Sequence, residues 1–138
     1  MTNKLPALPA SLKATLVFCA IVLMVLGGGL MFASHWMARL YGTSESVSGT
    51  NASRTAGAAI LALGVLAWTG ARQQMPVVRT VVIPALFIWF VLKSFVAYLG
   101  MVAGVFKAPV GRTVFALDAL LALVFGYFLF ASRSGISQ

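Results

Sequence analysis

The sequence predicts an all-α fold, a four-transmembrane-helix bundle with up-down topology that forms a single transmembrane domain over residues 1–138. Of the 138 residues, 61% are hydrophobic and only 9% are charged, whereas soluble domains have about 25% charged residues. Four apolar runs are long enough to cross a bilayer, for which about 20 residues suffice. Polar or proline-bearing turns separate these runs, and we expect the helices near residues 12–37, 52–71, 79–104 and 112–132.

The first apolar run is predicted to be a retained membrane helix from Leu12 to about Met37. Lys4 and Lys13 precede it, as basic residues do in a signal peptide. The uncharged run over residues 14–38 is nevertheless longer than the apolar region of such peptides, which has about 7–15 residues. Its outer end carries side chains suited to the membrane interface, namely His35, Trp36 and Arg39.

Glycines in the predicted helices indicate close helix packing. Three consecutive glycines would weaken a helix in water by about 1 kcal/mol each, but in a bilayer the backbone has no other hydrogen-bond partner, so the helix persists. We interpret the run at residues 27–29 as a point of close approach, and a hinge or a backbone contact with a ligand is the alternative. The predicted packing glycines of all helices are Gly27, Gly28, Gly29, Gly57, Gly64, Gly100 and Gly104.

The second helix follows a polar connection over residues 40–53, and Asn51 or Ser53 is predicted to be its N-cap. Arg54 lies in its first turn, on the same side of the membrane as His35. We favour Arg54 as an interfacial anchor bound to lipid phosphate, and the alternative is that it turns inward.

Two charges inside the last two helices form the main candidate site, because Lys93 and Asp118 lie within successive apolar runs. An isolated charge at the centre of a membrane helix costs about 2.5–3.5 kcal/mol. Lys93 is predicted to lie roughly 15 Å, and Asp118 roughly 9 Å, below the outer ends of their helices. Since a lysine side chain can extend toward the interface, we expect the two charges to meet as an intramembrane ion pair.

This pair has three interpretations. The first is a structural bridge that fixes the third and fourth helices in register. The second is a site that responds to a ligand, an ion or a proton, with His35, Arg54 and Tyr98 as possible polar neighbours. The third is a lysine that faces the pore of an oligomer.

The residue inventory argues against an enzyme. The chain has one histidine, one cysteine, Cys19, and two acids, Glu45 and Asp118, so a conventional metal site with three or four side-chain ligands is not expected. The sequence also lacks a paired-carboxylate arrangement, a phosphate-binding loop and a nucleophile motif. We therefore expect no catalytic residues, no metal and no cofactor.

The net charge of +8 is spread along the chain, and no basic run supports nucleic-acid binding. We instead expect contacts with a lipid bilayer that has anionic head groups. The basic residues give a weak preference for cytoplasmic termini, and dual topology stays open. On the predicted cytoplasmic side lie Lys4, Lys13, Arg72, Arg79 and Arg133, against Arg39, Arg54, Lys107 and Arg112 on the other.

The segment from Arg54 to Gly57, continuing through Gly64 to Trp68 and Arg72, resembles the second helix of small bacterial four-helix membrane proteins described as DoxX-like. The preceding turn at residues 40–42 adds to this resemblance. It implies a four-helix bundle in the bacterial inner membrane and assigns no functional residue.

Two functions are compatible with these observations. The first is a small non-enzymatic integral membrane protein, an accessory or assembly subunit that packs against a protein partner or a second copy of itself. The second is a small oligomeric transporter or channel that uses Lys93 and Asp118. Small multidrug-type transporters typically place an acid in their first helix, and this chain has none there.

Overall fold

The computed structural model describes residues 8–41, 47–104 and 108–134, and it is helical without strands across these ranges. This confirms the predicted all-α four-helix bundle. Lys4, Glu45 and Lys107 lie outside the described residues, as does the side chain of Arg133. The helices are α1 (Ala10–Phe32), α2 (Ser34–Tyr41), α3 (Val47–Gly70), α4 (Met75–Val102) and α5 (Ala108–Ser134).

Four helical segments are long and apolar enough to cross a membrane, as in a multi-pass membrane protein. They are Ala10–Phe32, Thr50–Gly70, Met75–Val102 and Pro109–Phe130. Helix α1 packs mainly on α3, and α4 packs mainly on α5. The bundle therefore consists of two pairs of neighbouring helices around a common apolar core.

Helix α1 ends at Phe32, earlier than the predicted end near Met37. Ala33 leaves the helical conformation with φ −130° and ψ 42°, while its N–H still donates to the Gly29 carbonyl. In the next helix, α2, Met37 packs against Gly29, and its Sδ would lie 3.1 Å from a Cβ atom at that glycine. As a result, the predicted interfacial side chains lie on α2 and not on α1, namely His35, Trp36 and Arg39.

Helix α3 begins at Val47, about one turn before the predicted N-cap residues. Asn51 is a helix-interior residue whose carbonyl accepts a hydrogen bond from the Thr55 hydroxyl at 3.0 Å. The polar composition of residues 48–53 suggested a loop, yet these residues extend the helix beyond the apolar segment. The composition of the sequence shows where the apolar part of α3 begins, whereas the helix itself begins earlier, at Val47.

The contact between α1 and α3 is a close approach of two backbones at Gly27 and Gly57. A Cβ atom at Gly27 would lie 2.5 Å from the Leu61 nitrogen and 2.8 Å from the Gly57 oxygen. A Cβ atom at Gly57 would lie 2.7 Å from the Met31 nitrogen and 2.8 Å from the Gly27 oxygen. Small residues permit this geometry, which also suits weak Cα–H···O contacts between helices.

The other predicted packing glycines have different surroundings. Gly64 continues the α1–α3 contact, since a Cβ atom there would lie 2.8 Å from Met24 Cγ, whereas Gly28 has nothing within 4 Å. Gly104 also has open space around it and adopts φ 69° just after α4, a conformation that glycine tolerates best. It lies at the helix end, and no atom of the described residues comes within 4 Å of a Cβ position there, so the predicted packing contact is not seen among them. Gly100 is half-buried on α4.

Helix α4 contains a wider π-helical turn at Val78–Val82, just before Pro84. Proline has no N–H and its ring clashes with the carbonyl four residues earlier, here that of Thr80. Local changes of helix type are one way in which membrane helices tolerate a proline. Val82 lies against Gly70 of α3, with a side-chain carbon 2.9 Å from the position of a glycine Cβ.

We expect the two neighbouring glycines of α1 to respond oppositely to alanine. Gly27→Ala places a methyl group against the α3 backbone and should destabilise the protein by about 1–3 kcal/mol, as overpacking does. Gly28→Ala enters open space and improves helix propensity, so it should leave the melting temperature unchanged or raise it. The measurement is thermal unfolding of both variants in detergent. Equal melting temperatures would show that the backbone contact is not a tight one.

Candidate functional site: an intramembrane ion pair

Lys93 and Asp118 form a salt bridge between α4 and α5, with Lys93 Nζ 3.1 Å from Asp118 Oδ1. Lys93 lies near the buried face of α4, between Phe90 and Ala97. On α5, Asp118 is on the same side as the buried Phe125. The helix period therefore turns both charged residues inward, toward each other.

The two partners differ in burial. The Lys93 side chain is 24% exposed and the Asp118 side chain only 2%. Lys93 binds one carboxylate oxygen, and the other, Oδ2, is buried without a hydrogen-bond partner among the described residues. Because hydrogen bonds between ionised groups are about twice as strong as neutral ones, this single contact is the main compensation for the buried charge.

The indole of Trp89 adds a second buried polar atom. Its Nε1 has no hydrogen-bond partner in the described part of the chain, and the residue lies one helical turn before Lys93. A spacing of four residues puts Trp89 and Lys93 on the same face of α4. Within the described ranges, Trp89 Nε1 is thus a buried donor and Asp118 Oδ2 a buried acceptor without a hydrogen-bond partner.

The predicted polar neighbours lie elsewhere. The ring of Tyr98 packs on Phe115, with centroids 6.4 Å apart, and is half exposed. His35 lies on α2. Arg54 lines a groove between the end of α1 and α3. Of the proposed site residues, the structure thus brings Lys93 and Asp118 together and places the others on different surfaces.

Beside the ion pair, α4 and α5 form an apolar groove with a volume of about 910 Å³. Its small residues come from α5 and its larger walls are aromatic rings of both helices. The Phe87 ring lies against Gly126, where a Cβ atom would be only 3.1 Å from it. This groove could not be predicted from the sequence, because it depends on how the two helices pack. The residues that line the groove include Phe87, Phe115, Ala119, Ala122, Gly126 and Phe130.

Among the described residues, no group of three or more histidine, cysteine, aspartate and glutamate side chains comes together to hold a metal ion. Cys19 is buried as a free thiol in the apolar core. The charged chemistry of the described core is that of the Lys93–Asp118 pair.

Comparison of the chain with protein-family models, with curated proteins and with solved structures gave no match. The resemblance to DoxX-like proteins therefore stays a prediction.

We expect removal of either partner of the salt bridge to destabilise the bundle more than removal of both. Lys93→Met and Asp118→Leu each leave an uncompensated charge in a low-dielectric site, which costs about 3–5 kcal/mol in buried pairs. The double variant has no buried charge and should recover most of that loss. The measurement is the melting temperature of the three variants in detergent.

Arg112→Met is the matched control, because it removes an exposed cation at the start of α5 and should not change the melting temperature. If the single variants melt like the wild type, the pair does not contribute to the stability of the bundle.

Proposed function

We propose that this chain is a small non-enzymatic integral membrane protein that acts as an accessory or assembly subunit. The observation that supports the proposal most directly is the groove of about 910 Å³ between α4 and α5. It faces outward along the seam of two membrane-crossing helices, where the side chains of another helix can reach it. A partner would therefore dock on the α4–α5 surface.

The chemistry of the groove suits helix association within a bilayer. Lipid chains are as apolar as leucine, so membrane helices associate through close packing of small residues and through polar contacts. Ala119, Ala122 and Gly126 form the small-residue side of the groove. The rings of Phe87 and Phe130, in edge-to-face contact with centroids 6.4 Å apart, form its wall at the Gly126 end. This shape accepts protruding side chains of a neighbouring helix.

The ion pair also supports the proposed function, because it can fix the register of α4 relative to α5. Buried ionic groups stabilise weakly, but in some proteins they specify one register against alternatives. The Lys93–Asp118 bridge allows α4 and α5 little sliding, because a shift by one turn would part the charges by about 5.4 Å. It would thereby hold the groove in one shape.

For localisation we propose the bacterial cytoplasmic membrane, with both termini in the cytoplasm. Arg72 lies in the short connection between α3 and α4 and Arg79 lies near the start of α4, which supports the positive-inside orientation. The proposed partners are a second copy of the chain or another integral membrane protein, within a bilayer that contains anionic lipids.

Site-specific photocrosslinking in membranes tests the docking surface. A photoreactive residue at Leu123, a groove residue with 72% exposure, should give a discrete protein adduct. The matched control is Val96 on α4, which is 61% exposed and does not line the groove. Ala119→Leu narrows the groove and should remove the Leu123 adduct while leaving the melting temperature close to that of the wild type. Equal adducts at both positions, or adducts insensitive to Ala119→Leu, would contradict the proposal.

A small oligomeric transporter or channel is the second candidate function. Its support is the buried carboxylate oxygen of Asp118 that has no donor within the described ranges, next to a lysine that is partly accessible. The stacked rings of Phe90 and Phe125, 5.8 Å apart, fill the core beside the pair, so a pathway would require several protomers.

This alternative predicts ion or solute flux in liposomes that Asp118→Asn abolishes. Arg112→Gln, which changes the charge outside the core, should leave that flux intact. Absence of flux from the wild-type chain in liposomes would count against a transport function.

A further inference from the structure

A second groove lies at the end of the bundle that carries α2. It has a volume of about 580 Å³ and is formed by the last residues of α1 and the second and third turns of α3. Its position follows from Gly57, whose missing side chain lets α3 approach the backbone of Met31. The side chains on either side of this contact are left to line the groove, namely Met31, Phe32, Arg54, Thr55 and Ala58.

Polarity changes along this groove in the direction of the membrane normal. Gly57 contacts Met31, and Arg54 lies three residues nearer the start of α3, about 4.5 Å further out. This places Arg54 near the end of α1, four residues inside the start of the apolar span Thr50–Gly70. Ala58 lies about 6 Å deeper than Arg54. The groove is thus cationic at the membrane boundary and apolar below it.

Arg54 is the charged residue that lines this groove. The other polar lining residue, Thr55, already makes a hydrogen bond within its own helix. The Thr55 hydroxyl donates its hydrogen to the Asn51 carbonyl at 3.0 Å. Asp118, the acid within the described ranges, is bound to Lys93 in the core. A guanidinium group offers five donors in a planar fork that matches the oxygens of a phosphate.

We propose that this groove binds one anionic phospholipid. The phosphate accepts hydrogen bonds from the Arg54 guanidinium, and one acyl chain lies along Met31, Ala58 and the ring of Phe32, which is 80% exposed. The charge at one end and the apolar surface at the other match the two parts of a lipid. This site is separate from the α4–α5 groove, so it does not depend on the proposed subunit function.

Native mass spectrometry of the full chain in detergent tests the site. The probes are phosphatidylglycerol and phosphatidylcholine with identical acyl chains, each titrated against the wild type. We expect one tightly bound phosphatidylglycerol and weaker binding of phosphatidylcholine. Arg54→Gln should weaken the phosphatidylglycerol complex about five-fold, the effect of one cation near an anionic lipid surface.

Two further variants separate a built site from general charge attraction. Arg112→Gln also removes one positive charge, but at an exposed arginine at the start of α5. It should leave the affinity for phosphatidylglycerol unchanged. Ala58→Phe keeps every charge but fills the apolar part of the groove, and it should also weaken binding. Ala58 is exposed, so this variant tests the site even if Arg54→Gln fails to fold.

Three results would each overturn the proposal. The first is equal affinity for the two lipids, and the second is an equal loss of affinity in Arg54→Gln and Arg112→Gln. The third is unchanged phosphatidylglycerol binding by Ala58→Phe, which would mean that the lipid does not occupy the groove.

Discussion

The lack of water inside a bilayer is the constraint on which the rest of this structure depends. Every polar group at membrane depth needs a partner from the chain itself, and helices supply partners for the backbone. Hydroxyl side chains follow the same rule, because they donate to the carbonyl one turn earlier in their own helix. This holds for Thr15, Thr55, Thr69, Thr80, Ser94 and Thr113. Lys93 and Asp118 supply each other's main partner.

The two helix pairs satisfy this constraint with different kinds of contact. Helices α1 and α3 meet through backbone atoms at Gly27 and Gly57, so their contact depends on the absence of side chains. Helices α4 and α5 meet through large side chains, with the stacked rings of Phe90 and Phe125 and the Lys93–Asp118 bridge. The first contact has little capacity to adjust, whereas the second leaves grooves between side chains.

Much of the fold could be predicted from the sequence because hydropathy is a local property. The four spans follow from composition alone, and the meeting of Lys93 with Asp118 follows from the cost of leaving either charge isolated. The break at Ala33 could not be predicted in this way, since it accompanies the contact of Met37 with Gly29, a contact between helices. The role of Gly104 was also missed, because a packing glycine and a helix-ending glycine look alike in a sequence.

The candidate site was predictable in its charges and not in its surroundings. Which oxygen of Asp118 stays without a donor, and whether the nitrogen of Trp89 is covered, depends on side-chain positions in the packed core. Both grooves are likewise spaces between packed helices, and no residue pattern in the sequence predicts where such a space forms. The lining residues of the Arg54 groove come from two helices separated by α2.

The π turn at Val78–Val82 has a consequence for how α4 can vary in length. A π turn accommodates one more residue than the α-helical turn that it replaces. The loss of one residue within this turn can therefore be absorbed by a return to the α-helical turn. The half of the helix that carries Lys93 would then keep its rotation, and the charge would stay directed at Asp118.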